Sequence, residues 1–559
     1  MSKSNFTKFS VSLMLLACLT ALLASFLVET SSLTLVVEFP LDQSDLAAPS
    51  FSFSFDKLSA SMLTTVLLIS WTVVQYSNTY MSDSPKLYTF YLMLALFISS
   101  MCLLVLSANL FTVMLGWDCL GVSSFCLIVY YPSYKCFNSG SATLMANRLG
   151  DLFLLSSLAM VWGVSPLISW AHWPHFTFIM TMFFCVGAIS KSAMLPFSVW
   201  LPLAMAAPTP ISSLVHSSTL VTAGVYLLIR FHDQLSVDVL ELVKYLALVS
   251  NLFASLMALT ENDLKKIIAY STLSHISYMM LFIALGSSNV ALFHLVTHAL
   301  FKSQLFMLAG VVIYDYADVQ DIRRIHLSLK SRPSFWLMFV STIFSMMGLP
   351  FLSGFFSKEM MVVLSIQESM NLMTTLMCWV CFGMTAMYST RLLRQVSSLY
   401  TSMSVMVMQS DSSSTMLMTM MLNQFMAITG GLWLSWLVLT TSFEDVALLW
   451  TRSMKVGAMA VVLMSSSIGW LCQFKKNTLE SWELAEAITV TVSETVSILM
   501  NLLNSMSKLI QLAIDFSTPV SHWAVSADHA LLDWALSVNG FSLTLAKLSV
   551  LMLTTATLV

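Results

Sequence analysis

The stretch KSAMLPFSVWLPLAMAAPTP, residues 191–210, opens on a lysine and then breaks an apolar run with proline. A second stretch, MGLPFLSGFFSKE at 347–359, is broken in the same way and carries Lys358. Proline removes a backbone donor and clashes with the preceding turn. In lipid the freed carbonyls need internal partners, so such breaks occur where protein or a wet cavity surrounds them. Paired interrupted helices in the two halves of a chain point to a transport site. A packing kink is the plainer reading of either break alone. A lysine beside each one argues for more.

Working outward, the composition makes lipid the main solvent. The 559 residues are 57% hydrophobic and 9% charged, where a soluble domain carries about 25% charged residues. The net charge of -3 offers no basic field for nucleic acid. A spanning helix needs roughly 20 apolar residues, and about fifteen segments qualify. They lie near 9–29, 56–76, 87–107, 109–131, 143–163, 177–200, 211–231, 238–259, 266–286, 289–313, 334–365, 371–394, 417–440, 454–474 and 540–558. None of these spans alternates with period two, which disfavours a β-barrel. The run Val11 to Val28 is long enough to span and lacks a small-residue cleavage site, so it reads as a retained helix and not a signal peptide. The predicted class is therefore an all-α polytopic membrane protein.

Residues 475–537 differ. Glu480, Glu483, Glu486, Glu494, Lys508, Asp515, Asp528 and Asp533 are spaced among apolar residues at helical intervals. This pattern predicts an amphipathic helix too polar to span, lying along the interface and kinked at Pro519, before a last span after Gly540. Most of the nine cysteines sit in apolar runs. The CxxC of Cys378 and Cys381 lacks a partner pair and reads as two buried thiols. The 41 methionines read as adaptable apolar filler.

Ionisable groups at bilayer depth are costly and mark function by default. Asp118 lies in VMLGWDCLGVSSFCLI, Arg148 and Asp151 in MANRLGDLFLL, Lys191 in FFCVGAISKSAMLPF and His216 in SSLVHSSTLVTAG. His294, His298 and Lys302 follow in ALFHLVTHALFKSQLF, and Lys358 and Glu359 close the series. The i, i+4, i+8 spacing puts His294, His298 and Lys302 on one helical face. Histidine titrates near neutrality. An ammonium taken out of water loses basicity, and a nearby carboxylate restores it. Lys191 with Asp118 thus reads as a switch pair that holds or releases a proton as the charges separate. HLVTH lacks the glutamate of a zinc-binding HExxH, so a metal site is disfavoured. A single buried histidine is most simply a satisfied core residue, and snorkelling from a helix end is an alternative reading of Lys358. The whole series at matching depths outweighs those readings. No dinucleotide fingerprint, P-loop or cluster-binding cysteine set is present, so no redox centre is expected in this chain.

Several segments together resemble the antiporter-like subunits of respiratory NADH:quinone oxidoreductase and of Mrp antiporters. They are ISKSAMLPFSVWLPLAMAAPTPISSLVHSSTLVTAGVYLLIRF, FHLVTHALFKSQLFMLAGVVI, DLKKIIAYSTLSH, GLPFLSGFFSKE, FDKLSASM, YSNTYM, GWDCLGVSSF and NRLGD. They occur in the family's order from about residue 55 to 395. Lys358, the chain length and the polar stretch before a last span resemble the subunit 5 branch. The high methionine usage resembles a mitochondrially encoded member. An Mrp large subunit would be considerably longer.

The resemblance implies two inverted five-helix repeats, at 87–231 and 238–394. Transmembrane helices at 1–86 would precede them. Further spans at 417–474, a lateral helix at 475–537 and a final anchor at 538–559 would follow. It implies a proton relay. Asp118 and Lys191 would form the first half-channel, His216 would carry onward, His294, His298 and Lys302 would form the central link, and Lys358 would serve the exit. Arg148 and Asp151 match a motif placed near the neighbouring antiporter-like subunit 4, against which the lateral helix would also run. Quinone reduction elsewhere would drive translocation across the mitochondrial inner membrane. FMN, iron–sulfur clusters and ubiquinone would belong to partner subunits, and lipids such as cardiolipin would line the surface. An Mrp-type Na+/H+ antiporter subunit is the rival reading; a hydrogenase-type relative and a purely structural staple are weaker ones.

The chain departs from the family pattern at several places. Asp118 stands where glutamate is usual, and Met194 where glutamine is. His275 and Ser277 replace glutamine and glycine, Tyr314 replaces a histidine, and His326 a glycine. Only one span precedes FDKLSASM, where relatives often have two, so the N-terminus is expected on the opposite side of the membrane.

Overall fold

The computed structural model describes residues 3–29, 34–40, 50–82, 86–164, 177–316, 318–325, 333–367, 372–397, 414–438 and 452–471. The chain divides into one unit at Met1–Leu479 and another at Glu480–Val559. The second unit lies outside the described residues, and with it most of the expected lateral helix and the final span. His326 lies outside them too.

The chain opens with α1 (Lys3–Glu29) and a hairpin, β1 (Leu35–Pro40) against β2 (Ser50–Phe55). The strands are antiparallel with Val37 opposite Phe53. The spans predicted from sequence did not include this hairpin. Its signal is SFSFSF at 50–55, an alternation too short to register among membrane-length segments. Then come α2 (Lys57–Tyr80), α3 (Leu87–Leu106), α4 (Leu110–Ile128) and α5 (Tyr134–Val164). The start of α2 is fixed by its cap, where Asp56 N donates to Ser59 Oγ at 2.7 Å. The hairpin is tied to the α3–α4 junction by Ala108 N donating to Ser52 O at 2.9 Å.

Both expected breaks are present: the helix of the predicted span 177–200 ends early, and the predicted span 334–365 becomes two helices. In the first, α6 (Phe178–Lys191) stops at the lysine, and α7 (Trp200–Ala204) follows an irregular link. In the second, α13 (Pro333–Met347) and α14 (Ser353–Gln367) are separated by a short turn. Each link contains a non-glycine residue in left-handed conformation, Ala193 at φ 54° and Phe351 at φ 70°. Such residues are uncommon outside glycine and mark a chain held to shape by its surroundings.

Between the breaks run α8 (Thr209–Leu214), a π-helical turn at Val215–Thr219, α9 (Leu220–Arg230), α10 (Val237–Thr260), α11 (Leu264–Ala284) and α12 (Ser288–Asp315). The π turn follows from its hydroxyls. Ser217 donates to Ser213 O, Ser218 to Leu214 O at 3.1 Å, and Thr219 to Leu214 O at 2.9 Å. These bonds draw carbonyls out of the regular ladder. After α14 come α15 (Leu372–Ser397), α16 (Ser414–Val438) and α17 (Arg452–Leu471).

The core sits around α12. It packs against α2, α8, α9, α11, α13, α14 and α16, and residues 290–313 along it are buried. A helix buried on every side has no solvated stripe to read from periodicity. The outer helices α1, α4, α5 and α10 instead expose leucines, valines and methionines, among them Leu22, Val122, Leu152 and Val249. Eight helices among the described residues are long and apolar enough to cross a membrane, with α8, the π turn and α9 taken as one. The fold is that of a multi-pass membrane protein.

Candidate functional site

The first group gathers where α6 ends. Lys191 is 1% exposed, and its Nζ donates to the Trp117 carbonyl of α4 at 2.7 Å. The same ammonium stands 3.7 Å from the centre of the Trp117 ring, a cation–π contact. Trp117 Nε1 in turn donates to Asp151 on α5 at 2.7 Å. The two helices carrying Asp151 and Lys191 approach closely because Gly150 has no side chain; a Cβ there would overlap Ser190 Oγ.

The expected Asp118–Lys191 contact is not formed. Asp118 pairs with Arg148 at 3.5 Å, and its side chain is 42% exposed. Arg148 also reaches Asp151 at 3.3 Å. The reason is helical geometry. Successive residues on a helix point about 100° apart, so a Trp117 turned inward leaves Asp118 turned away. Asp151, expected only as a coupling residue, is the carboxylate linked to Lys191 through one indole.

His216 lies in the π turn, buried, with its ring centre 6.3 Å from that of Trp200. Neither of its nitrogens has a hydrogen-bond partner among the described residues. The π turn packs against α9 and α12.

The second group gathers around the α13–α14 break. Lys302 on α12 is fully buried and donates to Ser271 Oγ on α11 at 2.5 Å and to Met346 Sδ at 3.1 Å. Lys358 on α14 donates to the carbonyls of Met346 and Met347 at 2.6 and 3.4 Å, and to Thr385 Oγ1 at 3.0 Å. Those carbonyls belong to the last turn of α13, where a helix leaves acceptors open. Gly348, at φ 85°, makes the turn that lets Lys358 reach back. One residue, Met346, therefore touches both lysines.

His294 and His298 stand on the Lys302 face of α12, as their spacing predicts. His294 Nδ1 is 2.8 Å from Ser357 Oγ, the residue before Lys358, and its Nε2 is 3.2 Å from His275 Nδ1 of α11. His298 has no hydrogen-bond partner at either nitrogen among the described residues. The sequence marked His275 only as a departure, and it did not single out Ser271, Ser357 or Thr385; contacts between helices have no sequence spacing to reveal them. Two further buried cations hold the frame. Lys265 donates to Ala207 O at 3.0 Å, and Arg391 to Ala258 O and Glu261 O at 3.1 and 2.9 Å. The thiols of Cys378 and Cys381 are buried and free.

Comparison with known proteins places this arrangement. Residues 107–383 match the family described as NADH:quinone oxidoreductase/Mrp antiporter, TM. Residues 43–91 match NADH-Ubiquinone oxidoreductase (complex I), chain 5 N-terminus. NADH-ubiquinone oxidoreductase chain 5 of Anopheles gambiae is 37% identical over 467 residues, 80% of this chain and 79% of that one. The chain belongs to the NADH-ubiquinone oxidoreductase chain 5 family. Chain 5 of Locusta migratoria is 38% identical over 75% of this chain and 74% of its own. Chain 5 of Lumbricus terrestris is 34% identical over 78% and 76%. Among solved structures, a chain of the Mrp complex from Dietzia sp. shares the fold with a TM-score of 0.66 at 23% identity. It is matched over 99% of this chain, which spans 60% of the Dietzia chain's length. Every candidate residue from Asp118 to Lys358 falls within the matched 107–383, the part described by the NADH:quinone oxidoreductase/Mrp antiporter family.

Proposed function

We propose that this chain is a membrane-arm subunit of proton-translocating NADH:ubiquinone oxidoreductase in the mitochondrial inner membrane. The observation that carries the reading is the pair Lys302 and Lys358, buried side by side on Met346, with the imidazole of His294 bonded to Ser357, the residue before Lys358. Protonatable groups buried together at such cost suit a relay and have no evident packing use. Their chemistry needs no redox group of this chain. FMN, iron–sulfur clusters and ubiquinone belong to partner subunits in this reading, and reduction there supplies the drive.

In the mechanism, negative charge moves relative to Lys191. Arg148, between Asp118 and Asp151, is placed to take carboxylate charge toward or away from the lysine. As that charge withdraws, the buried ammonium loses its support and releases its proton. His216 receives it, the central row His294, His298 and Lys302 conducts it, and Lys358 delivers it to the exit.

The element order supports the domain reading. α3, α4, α5, the broken α6–α7 and α8–α9 match α10, α11, α12, the broken α13–α14 and α15. Five crossings is an odd number, so the second repeat runs inverted to the first. About fifteen spans, the lateral helix and an adjoining subunit 4 complete the proposed architecture, with cardiolipin-type lipids at its surface. An Mrp-type exchanger is the alternative, and the 34–42% identities to chain 5 relatives favour the respiratory complex.

The test is Lys191→Met and Lys302→Met in the intact complex. Both are expected to abolish quinone-coupled turnover and pumping while NADH oxidation by an artificial acceptor persists. Normal coupled turnover in both overturns the reading.

A further inference from the structure

His275 is the one imidazole of the central cluster that does not lie on α12. It enters from α11 and is 0% exposed. Its ring stacks on that of His294 with centres 5.3 Å apart and planes 21° apart, and stands 5.4 Å from that of His298. His294 and His298 are farther from each other, at 6.4 Å. No hydrogen bond joins the two α12 imidazoles, and the ring from α11 stands nearer to each of them than they stand to one another.

His275 and His298 are not hydrogen-bonded to each other at rest, so the step between them needs a ring to turn. His275 Nε2 and both nitrogens of His298 lack hydrogen-bond partners among the described residues, although all are buried. Buried polar atoms are normally satisfied, and leaving them open is costly.

We propose that His275 is a proton carrier that bridges His294 to His298, making the central row His294–His275–His298–Lys302. The proposal rests on the translocation reading above. In the step, the N–H bond at Nε2 of protonated His294 breaks and an N–H bond forms at Nδ1 of neutral His275. The His275 imidazolium then loses the proton it already held at Nε2, and an N–H bond forms on His298. One proton enters and one leaves, with no electron transferred. The ring resets by returning to its Nε2–H tautomer. Tyr278 and Phe301 pack edge-on to His275 at 5.9 and 5.4 Å and keep it in place.

The experiment is His275→Gln in the intact complex, reconstituted in vesicles, beside Lys302→Met. Glutamine, the residue usual in the family at this position, preserves a hydrogen bond to His294 but carries no shuttled proton, so the variant reads whether this chain depends on its own imidazole. Coupled turnover is expected to fall about 10²-fold, with artificial-acceptor activity unchanged and a larger solvent deuterium isotope effect on the residual rate. If His275→Gln does not assemble, His275→Asn is measured with the same expectation. Unchanged turnover and pumping overturn the bridge, as does a fall with no rise in the isotope effect, which marks a structural role. Failure of Lys302→Met alone to lose coupling overturns the translocation reading instead, so the two failures are distinguishable.

Discussion

The two broken helices place a lysine by opposite means. At the first, Lys191 is the last residue of α6 and reaches across to another helix, resting on the ring and carbonyl of Trp117. Its carboxylate neighbours are indirect. Asp151 acts through the indole, and Asp118 is held off by a half-exposed Arg148. At the second, Lys358 lies inside α14 and turns back onto the open carbonyls of its own broken partner, α13. The first lysine thus sits in an environment whose charge can be rearranged by moving one arginine. The second sits among backbone dipoles that move only if the break itself moves. In the proposed relay a gate and a fixed station need different surroundings, and the same motif, lysine beside a proline break, would supply both.

The largest test of this contrast removes the charges. Lys191→Met and Lys358→Met are each expected to abolish coupled turnover, read as quinone reduction against artificial-acceptor reduction. A mild effect at either would remove that lysine from the relay. Next comes the turn behind Lys358. Gly348→Ala would put a Cβ 3.1 Å from Lys358 Cδ at φ 85°, costing about 1–2 kcal/mol for the left-handed backbone and disturbing the lysine. The converse change at the first break, Ala193→Gly, is expected to alter stability by less than about 1 kcal/mol. Heating the assembled complex and following the loss of its native-gel band compares the two; equal sensitivity would erase the distinction between the breaks.

Arg148→Ala sharpens the comparison further. An exposed ion pair contributes about 0.2–1 kcal/mol, so assembly should hold while coupled turnover changes by up to about fivefold. Arg148→Lys should restore it. An Arg148→Ala complex with unaltered turnover would mean that the carboxylates near Lys191 are not moved by this arginine. The smallest effect is expected at the CxxC. Cys381→Ala should leave coupling unchanged and cost about 1 kcal/mol of stability, and loss of activity would assign that thiol a chemical role.

Much of this was legible before any coordinates. The excess of apolar residues, the two proline breaks with adjacent lysines, and the row His294, His298 and Lys302 follow from composition and from helical spacing. The hairpin at 35–55 was not, because six-residue alternations are lost beside membrane-length runs. Asp118 was expected beside Lys191 from the chemistry of a buried ammonium, and it pairs with Arg148 instead because neighbours on one helix face different ways. Asp151, Ser271, Ser357 and Thr385 took their places beside the lysines only when helices far apart in sequence packed together.

The sequence by itself determined that this chain lives in lipid, where its helices break, and which costly groups it keeps there, because those depend on side-chain chemistry and on the backbone limits of proline. Only the tertiary structure decided which of those groups touch. Contact between helices depends on rotation and depth, and a helix such as α12, buried on every side, carries no polar stripe from which either can be read.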